Sequence, residues 1–198
     1  MAKILILILL SLTLNAEFIV KSYQEIRNKN VVRQNYEESC GASSIATLVN
    51  LLDNKKLTEL DVLKQFTLDE NNTLIINTDM VSFAELKTVV DKLGYTSNGY
   101  QIDRTLFNKI RIPILVKIES DPRYPHFVIA INYDGNFIKI LDPSYGEYLS
   151  SKKEFYSVWD RYDKGGYALI IAPNSNHTNL NITLPNKHLF ENRPFKFY

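Results

Sequence analysis

The sequence has 198 residues, the length of one ordinary domain, with 45% hydrophobic and 23% charged residues, a balance that supports a packed core and argues against disorder. The formal net charge is +1, so the chain lacks both the basic surface of a nucleic-acid-binding protein and a polybasic patch for anionic membranes. It contains no metal-ligand spacing and no nucleotide-binding loop, so no metal and no cofactor are expected.

The first 16 residues have the composition of a secretory signal peptide. Lys3 precedes an apolar run over residues 4–10, which is extended through residues 11–14, and Ala16 is a small residue suited to cleavage. The run is well short of the roughly 20 residues that a membrane-spanning helix needs. We therefore predict an exported protein, periplasmic or extracellular, without stable membrane insertion after signal cleavage. An uncleaved anchor and a buried first strand are the alternatives.

The mature domain is expected over residues 17–172, and its first half is predicted to be helical. A strand or an arm is expected at its start. Apolar residues then recur with helical spacing and predict a helix over residues 40–52; they are Ile45, Leu48, Val49 and Leu52. The next run, LTELDVLKQF, predicts a second short helix with Thr58 as its N-cap.

A third helix is predicted over SFAELKTVVDKLG, and then the periodicity changes. Ser82 and Glu85 have capping-box spacing, and Gly94 stands where a helix ends. RIPILVKI, HFVIAINY, FIKIL and GYALIIA follow as short β-rich runs separated by turn signals. Helices followed by strands predict an α+β fold, with the helices packed on an antiparallel sheet.

Residues 173–198 form an Asn-rich and then aromatic C-terminal extension. It is expected to be either a strand that docks on the domain or a mobile tail. His177 and His188 lie in this extension without the spacing of metal ligands, so both are expected to be surface residues.

Cys40 is the only cysteine of the chain and stands at the start of the first predicted helix. An intramolecular disulfide is therefore excluded, which leaves an intermolecular link, a buried inert thiol or a reactive thiol. The unpaired N–H groups and positive dipole end of a helix favour the thiolate, which is the nucleophilic form. Gly41 would let a substrate backbone approach closely. Gln34 is either a polar surface residue or an amide that donates to an oxyanion.

A predicted hairpin brings a histidine and an aspartate together. The strands HFVIAIN and NFIKILD flank a three-residue loop, 133–135, in which Gly135 suits the left-handed last position. Counting outward from this loop, His126 would stand directly opposite Asp142, with Cβ atoms about 4.5–5.5 Å apart on one sheet face. A two-residue loop would place the two side chains on opposite faces. Pro143 should end the strand, so the carboxylate would lie where it can orient the imidazole.

Two segments of the chain together resemble a known family of proteases. RQNYEESCGASSIATLVNLL, followed by HFVIAINYDGNFIKILDPSYGEYLSSKKEFYSVW, is similar to the bacteriocin-processing, or double-glycine leader, cysteine peptidases. Members of that family have a papain-like fold and usually form the N-terminal domain of an ABC exporter. The resemblance covers roughly residues 31–171. It departs from the family pattern at Ser39, where Asp is common.

The resemblance implies a reaction and a set of site residues. Cys40 would be the nucleophile, His126 the general base and Asp142 the residue that orients the base. Gln34 would be the oxyanion-hole side chain. The implied function is cleavage of a peptide or protein substrate through an acyl-enzyme intermediate, at a double-glycine-type site and in connection with an export system. A non-catalytic peptide-binding module of a secretion system is the alternative, as is a cell-wall amidase or transferase on the same fold.

Overall fold

The computed structural model describes residues 20–66, 81–120, 125–133 and 135–174. The predicted signal peptide, His177 and His188 lie outside these residues. In the described part of the chain, helices pack on a six-stranded sheet in which neighbouring strands are antiparallel, so the predicted α+β fold is confirmed. None of the helices described there combines the length and hydropathy needed to span a bilayer.

The described residues form six helices and six strands. The helices are α1 (Tyr23–Arg27), α2 (Cys40–Asp53), α3 (Glu59–Leu63), α4 (Phe83–Lys92), α5 (Arg104–Phe107) and α6 (Lys152–Trp159). The strands are β1 (Thr96–Ile102), β2 (Ile114–Ile118), β3 (His126–Asn132), β4 (Phe137–Asp142), β5 (Gly146–Ser151) and β6 (Gly166–Ala172). Their order across the sheet is β1-β6-β2-β3-β4-β5.

The central helix α2 packs on one face of the sheet. The residues of its predicted apolar face are all buried: Ile45, Leu48, Val49 and Leu52. Phe127, Ile129 and Ile131 of β3 belong to the same core. Val128 and Ala130, which alternate with them, pack on the opposite sheet face with residues of α6. Because both faces are covered, the central strand β3 is apolar throughout its middle, from Phe127 to Ile131.

Helix boundaries follow the capping signals of the sequence. The Ser82 hydroxyl accepts from the Glu85 amide, and the Glu85 carboxylate accepts from the Ser82 amide, which is the predicted capping box. Thr58 caps α3 in the same way with Asp61. Beyond α4 the chain turns at Gly94, whose φ of 84° lies in the left-handed region that favours glycine. These contacts confirm the predicted starts of α3 and α4 and the end of α4.

Several elements differ from the sequence-based expectation, and the short helix α5 is one that no sequence pattern predicted. The segment expected to be a strand or an arm contains the helix α1, which opens with a capping box between Ser22 and Glu25. The strands β1 and β5 have no counterpart among the predicted runs. Both are edge strands whose side chains are mostly exposed or half-buried, so they lack the apolar alternation that marks a strand in sequence.

Candidate active site

Cys40 lies at the buried start of α2. Its residue is 6% exposed, and the side chain of the N-cap residue Ser39 makes no capping hydrogen bond. As the first residue of the helix, Cys40 stands where the unpaired N–H groups and the positive end of the helix dipole are located. One turn later, the Ser44 hydroxyl donates to the carbonyl oxygen of Phe127 at 2.9 Å. This bond fixes the start of α2 beside the first residues of β3.

His126 and Asp142 meet at one end of the sheet. His126 opens β3 and Asp142 closes β4, and the two strands are antiparallel. The Nε2 atom of His126 is 2.9 Å from Oδ1 of Asp142. The imidazole side chain is 23% exposed and the carboxylate side chain 1% exposed. The carboxylate is therefore shielded from water, whereas the imidazole remains accessible from outside.

The predicted register of this hairpin is wrong by two residues. Asn132 pairs with Ile138, two positions later than predicted. The reason is that the Tyr133 amide donates to the Phe137 carbonyl oxygen at 3.2 Å, so Tyr133 continues the ladder instead of opening the loop. The histidine and the aspartate are consequently not directly opposite each other. An even shift keeps both on one sheet face, and diagonal partners lie within reach of long side chains.

The thiol and the imidazole are coupled. Cys40 lies close enough to His126 to influence the pKa of the imidazole, and because Nε2 contacts Asp142, Nδ1 is the ring nitrogen left to face the sulfur. Burial lowers the pKa of His126, but the interactions with Asp142 and Cys40 outweigh burial and raise this pKa to about 9. The imidazolium therefore persists at neutral pH, as a thiolate–imidazolium pair requires.

The Asp142 carboxylate has further partners that sequence patterns did not single out. Its Oδ1 accepts from the amides of Ser144 at 2.7 Å and Tyr145 at 3.0 Å, a local turn that an Asp before Pro favours. Tyr148 lies on the edge strand β5. Burial raises the pKa of Tyr148 well above its ordinary value, and the charge of Asp142 and a hydrogen bond to it raise it further. These contacts hold the carboxylate in place behind the imidazole.

Gln34 lies beside the turn that follows Asp142. Its backbone amide donates to the Pro143 carbonyl oxygen at 3.0 Å, and its Oε1 accepts from the Ser144 hydroxyl at 3.1 Å. Its Nε2 donates to the Tyr36 carbonyl oxygen at 2.9 Å. The side-chain amide is thus fixed in orientation, and an NH₂ group has a second proton for another acceptor.

Gly41 has a different role from the one expected. A Cβ at this position would lie 2.8 Å from Cδ2 of Leu86 and 3.5 Å from Cδ2 of Phe127. The space beside Gly41 is therefore filled by protein and does not admit a substrate backbone. The absence of a side chain instead lets α4 and β3 pack closely against α2.

The assembled groups suit covalent acyl transfer. Hydrogen bonds connect His126 to Asp142, Asp142 to Ser144 and Ser144 to Gln34, and Cys40 is near enough to His126 to raise the pKa of the imidazole. A thiol, an imidazole, a carboxylate and an amide donor are the groups that nucleophilic attack on a carbonyl uses. Within the described ranges, no group of three or more His, Cys, Asp or Glu side chains is arranged to hold a metal ion.

One family model and several curated proteins match the chain. The Peptidase C39 family matches residues 28–176. The probable functional amyloid protease FapD of Pseudomonas aeruginosa is 29% identical over 141 residues, which cover 71% of this chain and 62% of FapD. The chain therefore spans less than two thirds of that relative's length. The lactococcin-G-processing and transport ATP-binding protein LagD of Lactococcus lactis is 26% identical, over 66% of this chain and 18% of LagD.

Solved structures share the fold at lower identity. The peptidase domain of Streptococcus ComA, a bifunctional ABC transporter involved in a quorum-sensing pathway, superposes with a TM-score of 0.59 at 22% identity, covering 73% of this chain and 98% of that domain. A double glycine motif protease from an AMS/PCAT transporter, in complex with the leader peptide, gives a TM-score of 0.55 at 21% identity. The match covers 72% of this chain and 90% of that protease chain. The predicted papain-like peptidase fold is thereby confirmed.

Proposed function

This chain belongs to the peptidase C39 family of cysteine peptidases, and we propose that it cleaves its substrate through Cys40, His126 and Asp142. The observation that carries the proposal is the 2.9 Å contact between His126 Nε2 and Asp142 Oδ1, at an imidazole whose pKa the nearby Cys40 also raises. The three side chains then act as nucleophile, general acid–base and orienting carboxylate.

Acylation starts from the thiolate of Cys40 and the imidazolium of His126. The sulfur attacks the scissile carbonyl carbon, and the oxyanion accepts hydrogen bonds from the Gln34 side-chain amide and the Cys40 backbone N–H. The carbon–nitrogen bond then breaks, and the imidazolium gives its proton to the leaving amine. The result is a thioester on Cys40 and a neutral imidazole.

Deacylation reverses the roles of the same groups. The neutral imidazole of His126 takes a proton from water, whose oxygen attacks the thioester carbon. The carbon–sulfur bond breaks, the carboxylic acid product leaves, and the thiolate–imidazolium pair is restored. Asp142 stabilises the imidazolium in both directions, because its own carboxylate is held by the amides of Ser144 and Tyr145.

The proposed substrate is a peptide or protein cut after a pair of glycines. The support for this specificity comes from relatives: a fold neighbour is a double glycine motif protease bound to a leader peptide, and LagD is a processing and transport protein. We further propose that the protein acts after export, in the periplasm or outside the cell and in connection with an export system. This location rests on the signal-like composition of residues 1–16.

The proposed domain limits are residues 17–172, with a C-terminal extension over 173–198. The family match over residues 28–176 supports the central part of this division. The first residues of the extension pack on the domain: the Asn174 amide donates to Asp53 at 3.2 Å, and its side chain donates to the Gly94 carbonyl oxygen at 2.8 Å.

The purified protein is expected to cut a synthetic leader-type peptide after its Gly-Gly pair. Replacing both glycines by valine should lower kcat/KM by at least about tenfold, because a side chain must then enter a site shaped for none. Mass spectrometry of the products identifies the bond that is cut. Equal cleavage of both peptides contradicts the glycine specificity and leaves the peptidase assignment intact. Binding of the peptide without any cleavage favours the non-catalytic module.

Peptidase activity is expected to fall as the pH rises through about 9, where the His126 imidazolium loses its proton. Asp142→Asn keeps an oxygen that can accept from the imidazole but removes the negative charge, so this alkaline limb should move to lower pH. The measurement is kcat/KM against pH. Asp91→Asn, which alters an exposed carboxylate paired with Lys87, should leave the limb in place. An unmoved limb in Asp142→Asn would exclude the proposed electrostatic role.

A further inference from the structure

The loop 35–39 connects the proposed oxyanion donor Gln34 to the nucleophile Cys40. Its path sets the distance and angle between the side-chain amide and the sulfur. Apart from Ser39, its residues are exposed, so apolar packing contributes little to holding it. Glu38 has a φ of 57°, a left-handed conformation that few residues other than glycine adopt. A turn of this kind persists when contacts with the rest of the protein over-determine it.

The buried carboxylate of Glu59, the first residue of α3, supplies such contacts. Glu59 is 3% exposed. Its oxygens accept hydrogen bonds from the amide nitrogens of Asn35 and Tyr36, at 3.1 and 3.3 Å, and from Nδ2 of Asn35 at 3.0 Å. The Ser39 hydroxyl is also in contact with Oε1 of Glu59. One side chain from a separate helix thus receives four donor groups of the loop.

The Ser39 hydroxyl has one proton and two acceptors in reach. Its oxygen lies 2.7 Å from the Tyr36 carbonyl oxygen and contacts the Glu59 carboxylate. A carboxylate is the stronger acceptor, so the proton is directed to Glu59. The carboxylate therefore holds both ends of the loop: Ser39, just before Cys40, and Asn35, just after Gln34.

We propose that Glu59 is a positioning residue that sets the geometry of the oxyanion hole by holding loop 35–39 at both ends. The inference rests on the proposed roles of Gln34 and Cys40. A carboxylate is suited to this position because all four partners are donors, and a glutamine would turn its own NH₂ group toward some of them. A buried donor left without an acceptor destabilises the arrangement that contains it.

Glu59→Gln is expected to lower kcat for a Gly-Gly peptide by about 10–100-fold, the effect of displacing a catalytic group by about 1 Å. KM should change little. Alkylation of Cys40 by iodoacetamide should also change little, because it requires the thiolate and not an oxyanion hole. A general loss of structure would instead reduce hydrolysis and alkylation together. Thermal unfolding of each variant shows that the compared proteins are folded.

Asp61→Asn is the matched control on the same helix. Asp61 forms the capping box of α3 with Thr58, and it is not a partner of the loop. If the effect of Glu59→Gln came from loss of α3, Asp61→Asn should reproduce the fall in kcat. Ser39→Ala removes only the hydroxyl contact and should give a smaller fall, which keeps the inference testable if Glu59→Gln does not fold.

A double-mutant cycle tests the contact itself. Ser39→Asp places a second carboxylate against Glu59, and its repulsion should lower kcat. In the Ser39→Asp/Glu59→Gln double variant the new carboxylate can accept from the glutamine NH₂ group. The fold-loss in kcat of the double variant should therefore be smaller than the product of the fold-losses of the two single variants. If the fold-loss of the double variant equals that product, the two residues act independently on kcat, which contradicts a direct contact that matters for catalysis.

Gln34→Ala serves as the reference, because loss of one oxyanion donor typically costs about 10²–10³ in kcat. A strong effect of Gln34→Ala beside an unchanged kcat in Glu59→Gln overturns the positioning role alone. An unchanged kcat in Gln34→Ala overturns the proposed oxyanion role and, with it, this inference. A lowered kcat in both variants, with alkylation of Cys40 preserved, supports the oxyanion role of Gln34 and the positioning role of Glu59.

Discussion

Replacement of Cys40 by alanine is expected to lower kcat by about 10⁴-fold or more, because the remaining groups then have no nucleophile to assist. Substrate binding should be retained, since the thiol is buried at the helix start and contributes little surface to a bound peptide. Peptide hydrolysis followed by mass spectrometry gives the rate. The same variant, incubated with the exported proteome, should retain the natural substrate for identification.

Ser43→Ala is the matched control for the cysteine variant. Ser43 lies on the same helix, one turn from Cys40, and is likewise buried, so it reports any damage to α2 without touching the nucleophile. It should keep most of the wild-type rate. If Cys40→Ala still hydrolyses the peptide at the wild-type rate, the sulfur is not the nucleophile and the proposed mechanism is wrong.

Replacement of His126 by alanine should have the second largest effect, lowering kcat by about 10⁴-fold as well. The reason is that one ring both stabilises the thiolate and carries the proton to the leaving amine. The pKa of His126 is raised to about 9, so the ring is charged at about pH 6, where an ordinary free thiol is almost entirely protonated. Iodoacetamide should therefore alkylate Cys40 at about pH 6 in the wild type and not in His126→Ala.

His177→Ala is the control for this experiment, because it removes an imidazole that is expected to lie on the surface. Its hydrolysis rate and its alkylation at about pH 6 should match those of the wild type. Alkylation of the wild type only at high pH would contradict the thiolate–imidazolium pair. Unchanged alkylation in His126→Ala would show that the helix dipole alone stabilises the thiolate.

The hairpin shows how far the sequence determines the proposed site. The apolar runs of β3 and β4 predict two paired strands, and both form. The sequence does not decide whether Tyr133 belongs to the strand or to the loop, since an aromatic residue suits either position. That choice moved the register by two residues. Because side chains alternate with a period of two, a shift of two residues leaves His126 and Asp142 on one face. The predicted contact between the two side chains is therefore present although the predicted register is wrong.

The residues that escaped prediction are those whose partners come from distant elements. Tyr148 lies on an edge strand that pairs only with β4 in the described sheet, and no apolar alternation marks it. Glu59 reads as an ordinary first-turn acid of a short helix, a position at which exposed carboxylates are common. Its partners belong to loop 35–39, 20 or more residues earlier in the chain, and no local pattern indicates them. Gly41 was misread for the same reason, since Leu86 of another helix fills the space beside it.

The place of β6 in the sheet has a consequence for how the chain reaches its active form. β6 is the last strand of the described residues in sequence, yet it lies between β1 and β2 and joins them. A chain that emerges from a ribosome or a translocation pore N-terminus first can pair β2 through β5, but it has no interior strand to connect β1 until residue 172 is available. Completion of the sheet is thus a late, long-range closure, which is intrinsically slow. The sheet that holds His126 and Asp142 is therefore complete only when nearly all of the described domain is available for folding.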